Sequence, residues 1–224
     1  SFHDDFDAFK GIVDDYNWTF CQIQYNIIDV NAQAGRRGVE YAANKGMAIV
    51  VMEPLRGGRL AKTPPDAVTK VWDSAKSKRS NIEWAFQWLW NQPEISVTLS
   101  GMSAMQHVID NVAIAERSGS VKLTPDEVAI IDQAREAYKG SNPIPCTGCN
   151  YCMPCPNGVD IPRNFAIYNE AHMWNDIPSG RGAYAGQARG PGGGLTAAQR
   201  ADQCLECGEC LEACPQSIEI PDWM

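Results

Sequence analysis

The chain has 224 residues, a formal charge of −8 and a pI near 4.9, with 44% hydrophobic residues and seven tryptophans. This length allows one or two domains with a buried core, while the acidic balance argues against phosphate-backbone binding. No apolar run approaches the ~20 residues needed to cross a bilayer, and nine cysteines in a chain of this size read as metal binding in a reducing compartment, the cytoplasm, rather than as a secreted disulfide framework. The chain opens on Ser1, which leaves room for an upstream segment.

Residues 4–16 place Phe6, Phe9, Ile12, Val13 and Tyr16 at helical spacing behind an acidic opening that suits the positive end of the helix dipole. Phe20 to Ile28 reads as a strand, with Cys21 expected as a buried, inert thiol. Residues 35–45 form the next helix, closed by Gly46 at the left-handed C′ position. MAIVVM, 47–52, is a continuous apolar run of the kind found in strands buried on both faces, and Glu53 to Gly58 form the loop at its C-terminal end. Thr63 to Ser80 hold at least one helix. NIEWAFQWLWNQ, 81–92, is a strongly apolar helix in which Trp84 and Trp88 are expected to stack one turn apart in the core. Ile95 to Leu99 make a further strand, and Ser100 to Ser103 open a helix running to about Arg117. Thr124 caps the following helix, with Pro125 at N1 and Glu127 completing a capping box.

Strand and helix thus alternate with helical-length crossovers, which requires parallel strands. A closed eightfold barrel takes about 250 residues and roughly 140 precede the cysteine-rich part. Two readings remain: a small open parallel sheet, or the C-terminal half of a barrel. SNPIP, 141–145, marks a boundary between domains 1–140 and 141–224. Beyond it, Pro162 to Trp174 form a helix, and the seven glycines of 179–194 predict a mobile loop whose Arg181 and Arg189 are solvated or reach a phosphate or redox partner. Thr196 caps a helix leading into Cys204.

Eight of the nine cysteines fall in two runs: Cys146, Cys149, Cys152 and Cys155 before Pro156, and Cys204, Cys207, Cys210 and Cys214 before Pro215. The second has the C-x2-C-x2-C-x3-C-P spacing of [4Fe–4S] ferredoxins; the first has one residue fewer before its last cysteine. Zinc ribbons use separated pairs instead. Gly148 and Gly208 allow the positive φ and close N–H approach that a wrapped cluster needs. On the precedent of two-cluster ferredoxins, in which the fourth cysteine of each run ligates the other cluster, Cys146, Cys149, Cys152 and Cys214 hold one cluster, and Cys204, Cys207, Cys210 and Cys155 the second. A domain this small leans on its clusters for stability.

FCQIQYN, GMAIVVMEPLRGG and LSGMSAMQHVIDN, in this order and spacing, resemble strands six, seven and eight of the aldo/keto reductases, and SFHDD resembles the end of strand five. The cysteine runs are similar to those of aldo/keto reductase-like oxidoreductases with a C-terminal dicluster domain. The resemblance implies an α/β fold, the C-terminal half of a (β/α)8 TIM barrel followed by a small, mostly α-helical ferredoxin-like domain. It implies NAD(P) as a further cofactor, with Ser1 and Gln22 at the nicotinamide carboxamide, Met52 where many members place an aromatic ring, Leu55 along the pyrophosphate, and Ser103, Asp110 and Asn111 at the adenosine end. No Lys or Arg lies between Arg79 and Arg117, where members preferring NADP carry cations; His107 is a poor substitute, which favours NAD or weak binding. The family's Asp, Tyr, Lys and His catalytic residues come from the first half of the barrel, so no catalytic residue is expected within this chain and no carbonyl reductase activity from it alone.

Hydride transfer moves two electrons and a [4Fe–4S] centre passes one, so a flavin or a flavoprotein is the natural divider between them. LRGGRL is not a dinucleotide fingerprint. The expected function is an oxidoreductase of aldo/keto reductase type acting on a small carbonyl or alcohol, its two [4Fe–4S] clusters exchanging electrons with a flavoprotein or ferredoxin-type partner. The alternatives are a non-enzymatic electron carrier using the barrel as scaffold, and an enzyme whose clusters are structural.

Overall fold

The computed structural model describes residues 1–119, 122–146, 148–187 and 193–224, in two units, Ser1–Ala137 and Tyr138–Met224. No helix among the described residues is long and apolar enough to cross a membrane.

The first unit is built on three parallel strands, β1 (Phe20–Gln24), β2 (Ala48–Met52) and β3 (Ile95–Thr98), in that spatial order. Gln24 pairs with Met52, and the register shifts between Ile49 and Val50 where β2 meets β3. Helix α1 (Phe6–Asp15) precedes the sheet, and its Asp5 side chain accepts the Ala8 N–H at 2.9 Å. Helix α2 (Gly35–Asn44) joins β1 to β2 and ends at Gly46, with φ +74°, a value only glycine takes without strain. Gly38 is the contact point of α2 with α1: a Cβ there would come within 3.4 Å of the Phe9 ring and 2.5 Å of the Ala34 Cβ.

Between β2 and β3 lie α3 (Asp66–Ser74) and α4 (Asn81–Trp90). Trp84 and Trp88 are buried, but they do not stack on each other. Trp84 lies flat on Trp72 of α3 at 5.2 Å, and Trp88 tilts against Tyr25 at 5.1 Å. Residues four apart on a helix project side by side, so each ring meets a different neighbouring element. Helix α5 (Met105–Ala115) follows β3, and α6 (Pro125–Gly140) opens with the expected box: the Thr124 N–H donates to Glu127 Oε2 at 2.9 Å, and the Glu127 N–H to Thr124 Oγ1 at 3.3 Å.

Two expectations change here. Strand β2 is not buried on both faces; Ile49 and Val51 are buried while Ala48, Val50 and Met52 are half-buried. Cys21 is likewise half-buried, although burial still pushes its thiol up to about 11, so it is a poor nucleophile at neutral pH.

The second unit holds α7 (Ile161–Met173), α8 (Ile177–Tyr184) and the short α9 (Glu209–Ala213). Its core is Ile144, Val159, Ile161, Phe165, Ile218 and Ile220. The first part of the glycine-rich segment, 179–184, is helical where a loop was expected, and 188–192 lie outside the described residues. Asp176 caps α8 by accepting the Ser179 N–H, Pro178 sits in its first turn, and Gly180 lets the helix approach α7 so closely that a Cβ there would come within 2.6 Å of the Ala171 Cβ. Arg181 lies on this helix; Arg189 falls outside the described residues. The helix expected after Thr196 is two short 3-10 turns, Ala197–Gln199 and Ala201–Gln203, the first held by a Thr196/Gln199 capping box.

Candidate metal centres

The cysteine runs are loops shaped by residues in the left-handed region. In the first, Gly148 and Asn150 have φ of +70° and +63°; in the second, Glu206 and Gly208 have +52° and +81°. Such reversals can turn backbone N–H groups toward a thiolate, and in the second run the Glu206 N–H donates to Cys204 Sγ at 3.4 Å.

Two hollows form where the runs meet. One is walled by Cys146, Cys149, Cys152 and Cys214, with Phe165, Ile218 and Ile220 behind them. The other is walled by Cys155, Cys204, Cys207 and Cys210, with Cys152 at its edge and Val159, Ile161 and Ile220 behind. Burial raises the Cys152 thiol, with further upward pushes from Cys146, Cys214 and Cys149; burial raises Cys210 too, with pushes from Cys204, Cys207 and Cys155. Each central thiol therefore feels two cysteines of its own run and one from the other. Cys149 and Cys207 are exposed, while the other six pack against the apolar core.

The two approach segments are held by asparagines on one helix. Asn169 donates to the Ile144 carbonyl at 2.7 Å and accepts the Ile144 N–H at 3.0 Å, fixing the chain just before Cys146. Asn164 donates to the carbonyls of Asp160 and Gln199 at 2.7 and 2.8 Å and accepts the Ala201 N–H, fixing the chain just before Cys204. Both are buried. Sequence reading missed them; the available signal was a pair of poor helix formers inside a helix.

The donor set fits an iron–sulfur cubane better than a single ion. Zinc ribbons take their thiolates from separated pairs, whereas each hollow here is walled by three cysteines of one run and the last of the other, the ligand pattern of two-cluster ferredoxins. A cubane takes one thiolate at each of several corners and needs space between them, which a ring of four thiols around a hollow provides. Thiolate-bound iron would also reverse the upward push on these thiols, since a coordinating thiol is deprotonated.

In the first unit, the Phe2 N–H donates to the Gln22 carbonyl at 2.9 Å, placing Ser1 beside β1, and Ser1 and Gln22 line one shallow hollow. Gln22 Nε2 lies 3.5 Å from Met52 Sδ, so these three residues come together. Leu55 is in the loop after β2. Ser103 is exposed before α5, Asp110 accepts from Gln106 at 2.8 Å, and Asn111 donates to Ser100 at 3.0 Å. A half-buried network around the buried Asn26 that sequence reading did not find shapes the loop ends: Asn26 donates to Asp29 and to the Glu53 carbonyl, both at 3.1 Å, and Asp29 accepts from Arg56 at 3.0 Å and Gln24 at 3.2 Å.

A model of the aldo/keto reductase family matches residues 12–136, more than half of the chain. The chain belongs to the aldo/keto reductase family. This aldo/keto reductase chain also matches the 4Fe-4S dicluster domain over residues 145–219, a stretch that includes all eight clustered cysteines. It is 27% identical over 110 residues to an uncharacterized oxidoreductase of Schizosaccharomyces pombe, covering 48% of this chain and 33% of that protein. An aldo-keto reductase of Bacillus halodurans, in its holo form, superposes with a TM-score of 0.49 at 21% identity, covering 59% of this chain and 48% of that one. The chain therefore spans a third to a half of the length of these relatives.

Proposed function

We propose that this chain is the C-terminal part of an oxidoreductase of aldo/keto reductase type in which two [4Fe–4S] clusters carry electrons singly between the reductase and a redox partner protein. Cys146, Cys149, Cys152 and Cys214 hold one cluster, and Cys204, Cys207, Cys210 and Cys155 the other, with residues 141–224 as the cluster domain. The clusters supply one-electron transfer; the apolar core behind the thiols lowers the local dielectric and so tunes their potential. The observation that carries this reading is that each hollow is walled by three cysteines of one run and the last cysteine of the other.

Residues 1–140 supply the C-terminal half of a (β/α)8 barrel. Its support is apolar surface at both sheet edges. Ile12 and Tyr16 at the end of α1 and Trp18 and Phe20 leading into β1 are exposed, as are Val97, Leu99, Met105, Ile109 and Val112 along β3 and α5, with Met105 73% exposed. Open edges of this kind invite association, and closing the sheet into a barrel removes them. In that barrel Ser1 and Gln22 bind the carboxamide of NAD(P), Met52 packs on the nicotinamide, Leu55 lies along the pyrophosphate, and Ser103, Asp110 and Asn111 hold the adenosine end. The substrate is a small carbonyl or alcohol.

Anaerobic reconstitution with iron and sulfide tests the cluster reading. The expected product is brown, carries about eight iron and eight sulfide per chain, and takes up one electron per cluster. A colourless protein that takes up zinc and no sulfide overturns it.

A further inference from the structure

Between α7 and α8 lies a hollow of about 460 Å³ that neither thiol quartet uses. Four of its lining residues, Phe165, Tyr168, Tyr184 and Trp223, are aromatic. The Tyr168 ring lies 4.4 Å from His172 and 5.9 Å from Trp223, and Tyr184 is a further lining residue. Arg181 joins the lining, and the Arg200 guanidinium stands 5.8 Å from the Tyr184 ring, so two cations gather here in a chain of net charge −8. Phe165 lines both this hollow and that of Cys146, Cys149, Cys152 and Cys214, and Trp223 closes the 3-10 turn whose Ile220 backs both thiol hollows. The hollow is therefore one ring removed from the cysteines.

We propose that this hollow binds a flavin mononucleotide, the ring packed on Tyr168 with Trp223 at its edge and the phosphate held by Arg181. The volume falls within the ordinary range of small-molecule sites. Tyrosine and tryptophan faces suit a flat conjugated ring, and a guanidinium is the side chain best shaped for a phosphate. The proposal rests on the reading that the two quartets hold clusters, and it supplies what that reading lacks, a group that exchanges electrons in pairs and singly. The electron count closes: hydride from a reduced nicotinamide and one proton reduce the flavin, which returns to its oxidised form by releasing two electrons, one for each cluster, and two protons to solvent.

The test is a titration of the iron-loaded chain with flavin mononucleotide, read by flavin fluorescence, with riboflavin as the ligand lacking phosphate. Saturable quenching at one flavin per chain is expected. Arg181→Gln should weaken flavin mononucleotide on the order of tenfold and leave riboflavin unchanged, whereas Tyr168→Leu should weaken both roughly tenfold. Arg181 is exposed, so its variant folds as the parent does. An iron-loaded chain that shows no saturable quenching, or binding that neither substitution moves, overturns the site. Iron content is measured in the same samples; a chain that binds flavin in this pattern but carries no iron keeps the site and sinks the cluster reading instead.

Discussion

The two units bury different things. In the first, Trp84, Tyr25, Ile23, Ile49 and Leu89 are fully buried around a hydrogen-bonded sheet whose two edge strands stay open. In the second, six apolar residues form a core on which six thiols lie, and among the described residues of the two runs that wrap them the one helix is the five-residue α9. The first unit is held by burial of side chains; the second is expected to lean on the bonds a metal centre makes. Metal removal therefore gives the largest effect and the most direct attack on this contrast. After chelation of the iron, residues 138–224 should lose protection against amide hydrogen exchange throughout, while β1, β2 and α4 keep theirs. Equal loss in both units would break the comparison.

The second expectation sharpens the crossing of the quartets. Cys214→Ala belongs by sequence to the second run but by position to the hollow of Cys146, Cys149 and Cys152. It should abolish one cluster, halving the iron, and the surviving signal should be that of the centre held by Cys204, Cys207 and Cys210. Spectra assigned by the reciprocal variant Cys155→Ala decide which cluster is lost. If Cys214→Ala instead removes the centre of its own run, the quartets are not crossed.

The eight clustered cysteines were readable because thiolate spacing on a cluster is fixed by the cluster, so the chemistry is written locally in the chain. The order of strands and helices was readable for the same reason, with periodicity and caps such as Thr124–Glu127 acting over a few residues. What was not readable depends on partners far away in sequence. Trp84 stacks on Trp72 because α3 lies there, not because of its helical neighbour Trp88. Asn169 binds Ile144 across 25 residues, and Asn26 binds the Glu53 carbonyl across 27. Seven glycines outweighed the Asp176 cap in the sequence reading of 179–194, since glycine frequency signals a loop until a close helix contact such as Gly180 on Ala171 gives it another use.

Core substitutions of intermediate effect separate the two kinds of burial. Trp84→Ala removes a fully buried ring and should cost about 3–5 kcal/mol, seen as a lowered denaturant midpoint for the first unit with the iron content unchanged. Asn169→Leu should act the other way round. It leaves the buried Ile144 N–H and carbonyl without partners, a cost of roughly 2–4 kcal/mol, and it loosens the chain entering Cys146, so iron incorporation into that centre should fall. Full cluster loading in Asn169→Leu would show that the asparagine supports the helix alone.

The smallest expected effect depends on pH and lies wholly in the first unit. Burial raises the Glu127 carboxyl, but the Thr124 N–H, Arg79 at 2.5 Å and Ser77 outweigh it and hold it down at about 2. Arg79 in turn lies over the Trp84 ring at 4.5 Å, tying this pair to the aromatic core. A carboxyl with a depressed value in the folded state binds its proton less readily than the unfolded chain does. Its contribution is therefore complete above the unfolded value of about 4.3, and is lost as pH falls from there toward about 2. Glu127→Gln removes that contribution at every pH. The stability difference between parent and variant, measured by denaturant unfolding of the first unit, should be roughly 1–2 kcal/mol at pH 7 once solvent screening is allowed for, and should shrink steadily below pH 4. A difference that stays constant down to pH 3 would mean that shape and packing, rather than charge, make Glu127 matter.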